Sequence, residues 1–229
     1  MNTGSGSMEA PSPRRWQRRK DERTGEIIEA ALGLFCEKGF SATKLDDIAR
    51  AAGVTKGTPY LYFDGKEAIL KAVVRATLID RLGEIEAECR DYRGSRTVLI
   101  RRLMLKWWDE VGSTELAGLC KLMVAEAANF PELARFYHDE VIVRSRALMR
   151  AVLLDGVREG EFRPMPDTDA VIDALQAPLL MNMIWQHSFA RFDESATGSY
   201  TKQRLETTLD LVLAALTAAG TTRQGNPTT

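Results

Sequence analysis

The sequence contains few of the side chains that bind metals or form disulfides. Its 229 residues include two histidines and three cysteines, and Cys36, Cys89 and Cys120 lie far apart with no Cys-x-x-Cys pair. Because these ligands are few and do not cluster in the sequence, they argue against a catalytic metal. Scattered cysteines in odd number are typical of reduced thiols rather than of a disulfide framework. We therefore expect no metal site and no cofactor.

The sequence also has no long hydrophobic run and no excess of one charge. Its longest apolar stretch, residues 211–220, falls well short of the about 20 residues that span a bilayer. The N-terminus has no apolar segment typical of a secretory signal. Lys and Arg number 31 against 32 for Asp and Glu, so any basic site must be local. We expect a cytoplasmic protein with no membrane partner.

Enzyme signatures are missing as well. Gly57 and the Gly65-Lys66 pair are too far apart for a phosphate-binding loop, and no GxSxG, HExxH or GxGxxG motif occurs. A hydrophobic content of 45% is nevertheless enough for one or two folded domains. The sequence therefore favours a binding protein over an enzyme.

Apolar residues recur at helical spacing along the chain, and no window shows the period of two that is typical of a strand. This pattern predicts an all-α protein of about nine helices. Residues 21–69 are expected to form an N-terminal domain of three helices, and residues 70–220 a larger helical domain. Residues 1–20 are expected to be a flexible basic arm and residues 221–229 a flexible tail.

The first three helices have the layout of a helix-turn-helix motif. Helix one is predicted over residues 28–39, helix two over 45–52 with Thr43 as its cap, and helix three over 55–62 after a turn at Gly53. In this motif the last helix enters the major groove of DNA. We therefore expect double-stranded DNA as a partner.

Hydroxyl and amine side chains cluster around this turn, and such groups suit phosphate oxygens and base-edge acceptors. The alternative is an ordinary polar surface. We assign base edges to Lys44, Thr55, Lys56 and Thr58, phosphates to Thr43, Tyr60, Tyr62 and Lys66, and add Gly57 to the candidate DNA-binding set.

Residues 24–70 resemble the TetR/AcrR-type transcriptional regulators. The likeness rests on an Ile- and Ala-containing first helix that ends in Phe and Gly-Phe, and on the later Ile-Ala, Ala-Gly-Val, Lys-Gly-Thr, Tyr-x-Tyr-Phe and Lys-Glu elements. The chain departs from the family pattern at Pro59, where an aliphatic residue is usual, and at Gly65, where Ser or Asn is common. The matching residues are Ile28, Ala31, Phe35, Gly39, Phe40, Thr43, Ile48, Ala49, Ala52, Gly53, Val54, Lys56, Gly57, Thr58, Tyr60, Tyr62, Phe63, Lys66 and Glu67.

The resemblance implies a bacterial, ligand-responsive regulator, usually a repressor, that a small molecule releases from DNA. One short recognition helix makes few contacts, so we expect a homodimer on a palindromic operator. The alternative is a small-molecule binding protein or helical enzyme whose helix-turn-helix no longer binds DNA. A purified chain that binds ligand but not its own promoter fragment at low salt would support that alternative.

The larger domain contains more methionine and aromatic residues than a simple bundle needs, although each one alone is more often a core residue. Its last two helices also carry apolar stripes that could pair as a four-helix bundle between two copies. The candidate pocket residues for an apolar or amphipathic effector are Met104, Trp107, Met123, Phe136, Tyr137, Met149 and Trp185, and the candidate dimer residues are Leu179, Leu180, Met183, Leu209, Leu213 and Leu216.

Overall fold

The computed structural model describes residues 13–192 and 202–217, with side chains from residue 21 onward. The α-helices are α1 Pro13–Lys38, α2 Leu45–Ala51, α3 Lys66–Val74, α4 Asp80–Asp91, α5 Arg96–Trp107, α6 Ala117–Glu126, α7 Pro131–Tyr137, α8 Arg144–Arg158, α9 Thr168–Ser188 and α10 Lys202–Thr217. Short 3-10 helices span Pro59–Leu61 and Ala190–Phe192, and π-helical segments span Arg75–Ile79, Trp108–Gly112 and His138–Val143.

The all-α prediction is confirmed. Each π-helical segment directly follows an α-helix, and two of the three, Arg75–Ile79 and His138–Val143, lead straight into the next one. Counted through these segments, the described ranges hold eight α-helices and no strand. A 3-10 helix occupies the place of the expected third helix. Counted with the eight α-helices, it gives the expected number of about nine.

The ends of the chain were expected to be flexible. Helix α1 begins at Pro13, so the backbone of residues 13–20 is helical and does not form the loose arm that we expected. The basic side chains of the arm, Arg14 to Lys20, lie outside the described residues, as do residues 1–12 and the tail 221–229.

The chain divides into two compact units, Met1–Val73 and Val74–Thr229. In the first unit, Ile27, Ala31 and Phe35 lie four residues apart on α1 and are fully buried. Ile27 rather than Ile28 therefore leads the buried stripe of α1. The rings of Phe35 and Phe40 are 5.5 Å apart and pack against each other. Ile48 and Ala49 bury the inner face of α2. Their burial fixes the position of α2, the helix that leads into the turn of the motif.

In the second unit, the segment after α8 returns to the N-terminus of α5. The Glu161 carboxylate accepts hydrogen bonds from the backbone N–H groups of Arg96 and Thr97, at 2.6 and 2.8 Å, and from the Ser95 hydroxyl at 2.6 Å. Partial burial alone would raise the pKa of Glu161, but these bonds together lower it to about 2. The ionised carboxylate thus satisfies the unpaired donors at the start of α5.

Candidate nucleic-acid interface and ligand cavity

The turn between α2 and the following segment is closed by backbone hydrogen bonds. The N–H of Gly53 donates to the Arg50 carbonyl at 3.2 Å, and that of Val54 donates to the Ala49 carbonyl at 3.0 Å. Gly53 has a φ of 65°, a left-handed conformation that residues with a Cβ avoid. The predicted glycine turn is therefore present, and it ends α2 within two residues of Ala51.

The recognition segment differs from the expected α-helix over 55–62. It consists of a turn followed by the 3-10 helix Pro59–Leu61, with bonds from Thr58 N–H to Thr55 O at 2.9 Å and from Leu61 N–H to Thr58 O at 3.0 Å. Pro59 has no N–H and cannot bond the Thr55 carbonyl, so an α-helical turn cannot close there. The Pro59 ring is itself buried and takes the core position of an aliphatic side chain.

Most of the expected DNA-contacting residues of α2 and this segment lie on the surface. Lys44, Thr55, Lys56, Gly57 and Tyr60 are exposed. Two contacts within the protein hold side chains of this segment and leave the segment exposed at the surface. The Lys56 ammonium lies 2.7 Å from an Asp46 carboxylate oxygen, which raises the pKa of Lys56 through a hydrogen bond. The half-buried Thr58 shares a 2.7 Å hydroxyl hydrogen bond with Thr55.

The structure corrects the role of Thr43. Lys44, not Thr43, is the N-cap residue of α2, and no side chain caps that helix. Thr43 is 1% exposed, and its hydroxyl donates to the Gly39 carbonyl at 2.7 Å and approaches that of Leu34 at 3.3 Å. A buried hydroxyl that is committed to main-chain acceptors cannot reach a phosphate, so Thr43 is a core residue of the first unit.

Lys66 is held by contacts within the first unit. Its ammonium donates to the carbonyl oxygens of Phe40, Thr43 and Ser41, at 2.5, 2.9 and 3.3 Å, and lies 4.3 Å from the centre of the Phe40 ring. These contacts tie the start of α3 to the connection between α1 and α2. Lys66 therefore stabilises the first unit through its main-chain contacts, and its assignment to a DNA phosphate remains a prediction. Tyr62, another expected phosphate ligand, is half-buried.

Sequence reasoning missed Leu61. It selected polar side chains as DNA contacts, yet Leu61 is 79% exposed at the recognition segment, more than the neighbouring Tyr60 at 59%. An apolar side chain with so much exposure between two predicted DNA contacts is a candidate for contact with a thymine methyl group. Its position between two predicted contacts was the available signal.

A cavity of about 340 Å³ lies within the second unit. Four of the seven predicted pocket residues line it, namely Met104, Trp107, Tyr137 and Met149. The candidate set contained no residue of α4, only Trp185 of α9, and no charged residue. The other lining residues include Leu82, Ile85, Leu103, Cys120, Val141, Ser145, Arg146, Asp173, Gln176, Leu179 and Met183.

The remaining three predicted pocket residues lie elsewhere in the second unit. Met123 is a buried core residue. Phe136 packs under the Arg75 guanidinium, which lies 4.8 Å from the ring centre. The ring of Trp185 packs against Phe189 at 5.2 Å. Helical spacing indicated that these side chains point inward, but it could not separate solid core from cavity wall.

The predicted dimer residues also need correction. Leu209, Leu213 and Leu216 are buried within the chain itself, where their face of α10 packs against α9 and α5. Leu179 and Met183 are buried and line the cavity, and Leu180 alone of the six is exposed, at 42%. The apolar stripes therefore form the core of one chain. No cluster of three metal-binding side chains and no helix that could span a membrane occur among the described residues.

Two family models match the chain. One, described as bacterial regulatory proteins of the tetR family, matches residues 27–73, and the other, a tetracyclin repressor-like C-terminal domain, matches residues 94–203. Together they cover more than half of the 229 residues. The boundary between them agrees with the division of the structure after Val73.

Individual proteins show the same likeness. The HTH-type transcriptional repressor KstR2 of Rhodococcus jostii is 29% identical over 167 residues, which are 72% of this chain and 80% of that protein. The structure of the ketosteroid transcriptional regulator KstR2 of Mycobacterium tuberculosis has a TM-score of 0.65 at 24% identity, over 86% of this chain and 96% of that one. The regulator FadR of Bacillus subtilis, in complex with stearoyl-CoA, has a TM-score of 0.69 at 19% identity, over 84% and 98%.

The contacts of Lys66 lead to a prediction about stability. Replacing Lys66 by Met keeps the aliphatic stem but removes the donor to three carbonyl groups, so we expect a loss of about 1 to 3 kcal/mol in the free energy of unfolding. Urea unfolding followed by circular dichroism measures the change. Lys44→Met is the matched control because Lys44 is exposed, and it should leave stability unchanged. An unaltered unfolding curve for Lys66→Met would contradict this stabilising role of Lys66.

Proposed function

Because the chain belongs to the TetR family of transcriptional regulators, we propose that it is a ligand-responsive repressor that binds a palindromic operator as a homodimer. An apolar or amphipathic small molecule in the cavity of the second unit releases it from DNA. The observation that carries this proposal is the presence, in one chain, of a helix-turn-helix unit with exposed polar tips and a second unit with an apolar cavity.

The DNA side of the proposal rests on the exposed residues of the first unit. Lys44 and Lys56 supply positive charge for phosphates or base-edge acceptors, and Thr55 and Tyr60 supply hydroxyl groups. Asp46 holds the Lys56 ammonium in place on the surface. A side chain that is already ordered loses less conformational entropy on binding, so this ion pair favours a defined geometry on DNA.

The effector side rests on the cavity wall. Most of its lining residues are aliphatic, aromatic or sulfur-containing, which is typical of pockets for apolar molecules. One protein of the same fold is described as a ketosteroid regulator, and another was solved with stearoyl-CoA, whose acyl chain is apolar and whose CoA part is charged. Both descriptions support an effector with a large apolar part here.

A path for release follows from the order of the chain. Helix α3 carries Lys66, and the chain passes from α3 through the π-helical segment Arg75–Ile79 into α4. Leu82 and Ile85 of α4 line the cavity. A ligand that displaces α4 therefore acts on the segment that leads back to Lys66 and the connection between α1 and α2. DNA and ligand would then favour different arrangements of the protein.

The homodimer requires an interface other than the stripes that are buried in one chain. On α9, Ala170, Ala174 and Met181 are exposed at spacings typical of one helix face. On α10, Leu211 is 69% exposed, and Ala215 is exposed one turn later. Small apolar residues let two helices approach closely, so we assign the dimer contact to these faces.

The proposed function is tested with DNA selected from a random duplex library by the full chain. Labelled selected duplex is titrated with protein, with and without long-chain ketones, alcohols and sterols as trial effectors. An effector that weakens DNA binding must itself bind more weakly in the presence of DNA, by the same factor. The typical coupling of about 1 to 3 kcal/mol corresponds to a roughly 5- to 150-fold change.

Two results of this titration would contradict the proposal. If no duplex is bound at low salt, the chain is a binding protein whose helix-turn-helix unit has lost its role. If an effector binds equally well to the free and the DNA-bound protein, the cavity has no part in regulation.

The exposure of Leu61 predicts dependence on a thymine methyl group. Replacing single thymines of the selected duplex by deoxyuridine removes only that methyl, and one position in each half-site should weaken wild-type binding. Burial of one methyl-sized group is worth about 0.8 kcal/mol, or roughly fourfold. Leu61→Ala should bind both duplexes equally, whereas Leu154→Ala, which changes an exposed leucine of α8, should keep the difference. Equal sensitivity in wild type and Leu61→Ala would remove Leu61 from the base-reading set.

The exposed faces of α9 and α10 predict the effect of a charge in the dimer contact. Leu211→Glu should weaken dimerisation at least about tenfold, because it removes the burial of a leucine and places an unpaired carboxylate in the contact. Sedimentation velocity measures the monomer–dimer equilibrium. The matched control is Val98→Glu, since Val98 is also an exposed apolar residue, at 54%, but lies on α5. A wild-type chain that remains monomeric at micromolar concentration would contradict the homodimer.

A further inference from the structure

Charged groups on the solvent side of the cavity neutralise one another. Among the lining residues only Arg146 and Asp173 carry a charge, and they form an ion pair. Arg146 also lies 3.1 Å from Asp169, which pairs with Arg150. The hydrogen bonds with these aspartates raise the pKa of Arg146. Two arginines and two aspartates therefore contribute a net charge of zero beside the cavity.

The balanced charges make the cavity unfavourable for a charged ligand. A carboxylate placed in the cavity would find no positive group without a negative partner, and to reach Arg146 it would have to displace Asp173. The transfer of a carboxylate from water into an apolar site is costly unless a counter-charge compensates for it. The cavity as built thus discriminates against charged molecules.

Among the neutral donors that line the cavity, the Tyr137 hydroxyl is deeply buried. The Tyr137 hydroxyl donates to the thiol sulfur of Cys120 at 3.3 Å, and both residues line the cavity. Burial raises the pKa of Cys120 to about 11 and that of Tyr137 well above its usual value, so both groups stay protonated at neutral pH. A thiol sulfur is a weak acceptor. A ligand oxygen in the cavity would accept a stronger hydrogen bond from the Tyr137 hydroxyl than the Cys120 sulfur does.

We propose that the cavity binds an uncharged, mainly apolar molecule whose carbonyl oxygen accepts a hydrogen bond from the Tyr137 hydroxyl. The ion pair of Arg146 and Asp173 excludes the corresponding carboxylate. This inference rests on the proposed function, because it names the ligand class of the same cavity. It adds a specific contact and a specific exclusion to that function.

The charge part is tested with two ten-carbon ligands that differ at one end. Decan-2-one and decanoate compete against the uncharged fluorophore N-phenyl-1-naphthylamine for the full chain at neutral pH. We expect decan-2-one to bind at least about tenfold more tightly than decanoate. Asp173→Asn leaves a net positive charge beside the cavity, and decanoate should then gain about tenfold while decan-2-one changes less than about twofold. Asp109→Asn is the matched control, because Asp109 pairs with Lys202 and does not line the cavity.

The hydrogen-bond part is tested with Tyr137→Phe, which keeps the ring and removes only the hydroxyl. We expect the affinity for decan-2-one to fall about 3- to 10-fold, as for one hydrogen bond between neutral groups. The affinity for N-phenyl-1-naphthylamine, which has no carbonyl group, should stay the same. A variant with a merely damaged cavity would lose both ligands together, and the thermal unfolding midpoint shows whether the fold is intact.

The outcomes separate this inference from the proposed function. Wild-type protein that prefers decanoate, or Tyr137→Phe protein that binds decan-2-one as wild type does, overturns the inference while DNA binding stands. Decan-2-one that binds as expected but leaves the affinity for the selected duplex unchanged supports the ligand class and overturns the regulatory role. Decan-2-one that binds as expected and also weakens duplex binding supports both.

Discussion

The geometry of the DNA-binding unit depends on a single ammonium group. Lys66 donates to three carbonyl oxygens of the chain between α1 and α2, while the Thr43 hydroxyl bonds the end of α1 from the other direction. An unpaired carbonyl group in this position would cost about 1 to 3 kcal/mol. These contacts fix where α2 begins, and the exposed groups of Lys44 and the recognition segment are placed with it. The position of the exposed polar groups therefore depends on hydrogen bonds that Thr43 and Lys66 make within the unit.

The second unit uses charge differently. Several of its half-buried ionic groups hold helices together through hydrogen bonds, as in the carboxylate of Glu161 at the start of α5 and the two hydrogen bonds between Arg144 and Glu86 at 3.1 and 2.8 Å. Such pairs hold α4, α5 and α8 in a defined arrangement around a cavity that has almost no free charge. A rigid, neutral wall selects its ligand by shape and by few hydrogen bonds. That selectivity suits a protein that must respond to one class of molecule.

The sequence predicted the local features of the fold well and the partners of side chains poorly. The Gly53 turn and the buried Ile48 and Ala49 follow from short-range pattern, since a turn conformation and a helix face are properties of neighbouring residues. The role of Lys66 does not, because its acceptors lie more than twenty residues away in the chain. Helical periodicity likewise identified the leucines of α10 as buried, but it could not show that α5 and α9 of the same chain cover them.

Burial removes Thr43 from the predicted phosphate contacts and leaves unchanged the predicted base contacts, which would carry specificity. The remaining exposed candidates are few, with Lys44, Lys56, Tyr60 and Leu61 among them, and Lys56 is already paired with Asp46. The recognition segment is a turn followed by a three-residue 3-10 helix, which presents fewer side chains to a groove than a full helix does. A short segment gains specificity from contacts that reject wrong bases as well as from those that attract the right one. The exposed Leu61 would meet this requirement in the proposed complex, because an apolar side chain would gain contact with a thymine methyl and leave polar base edges without a partner.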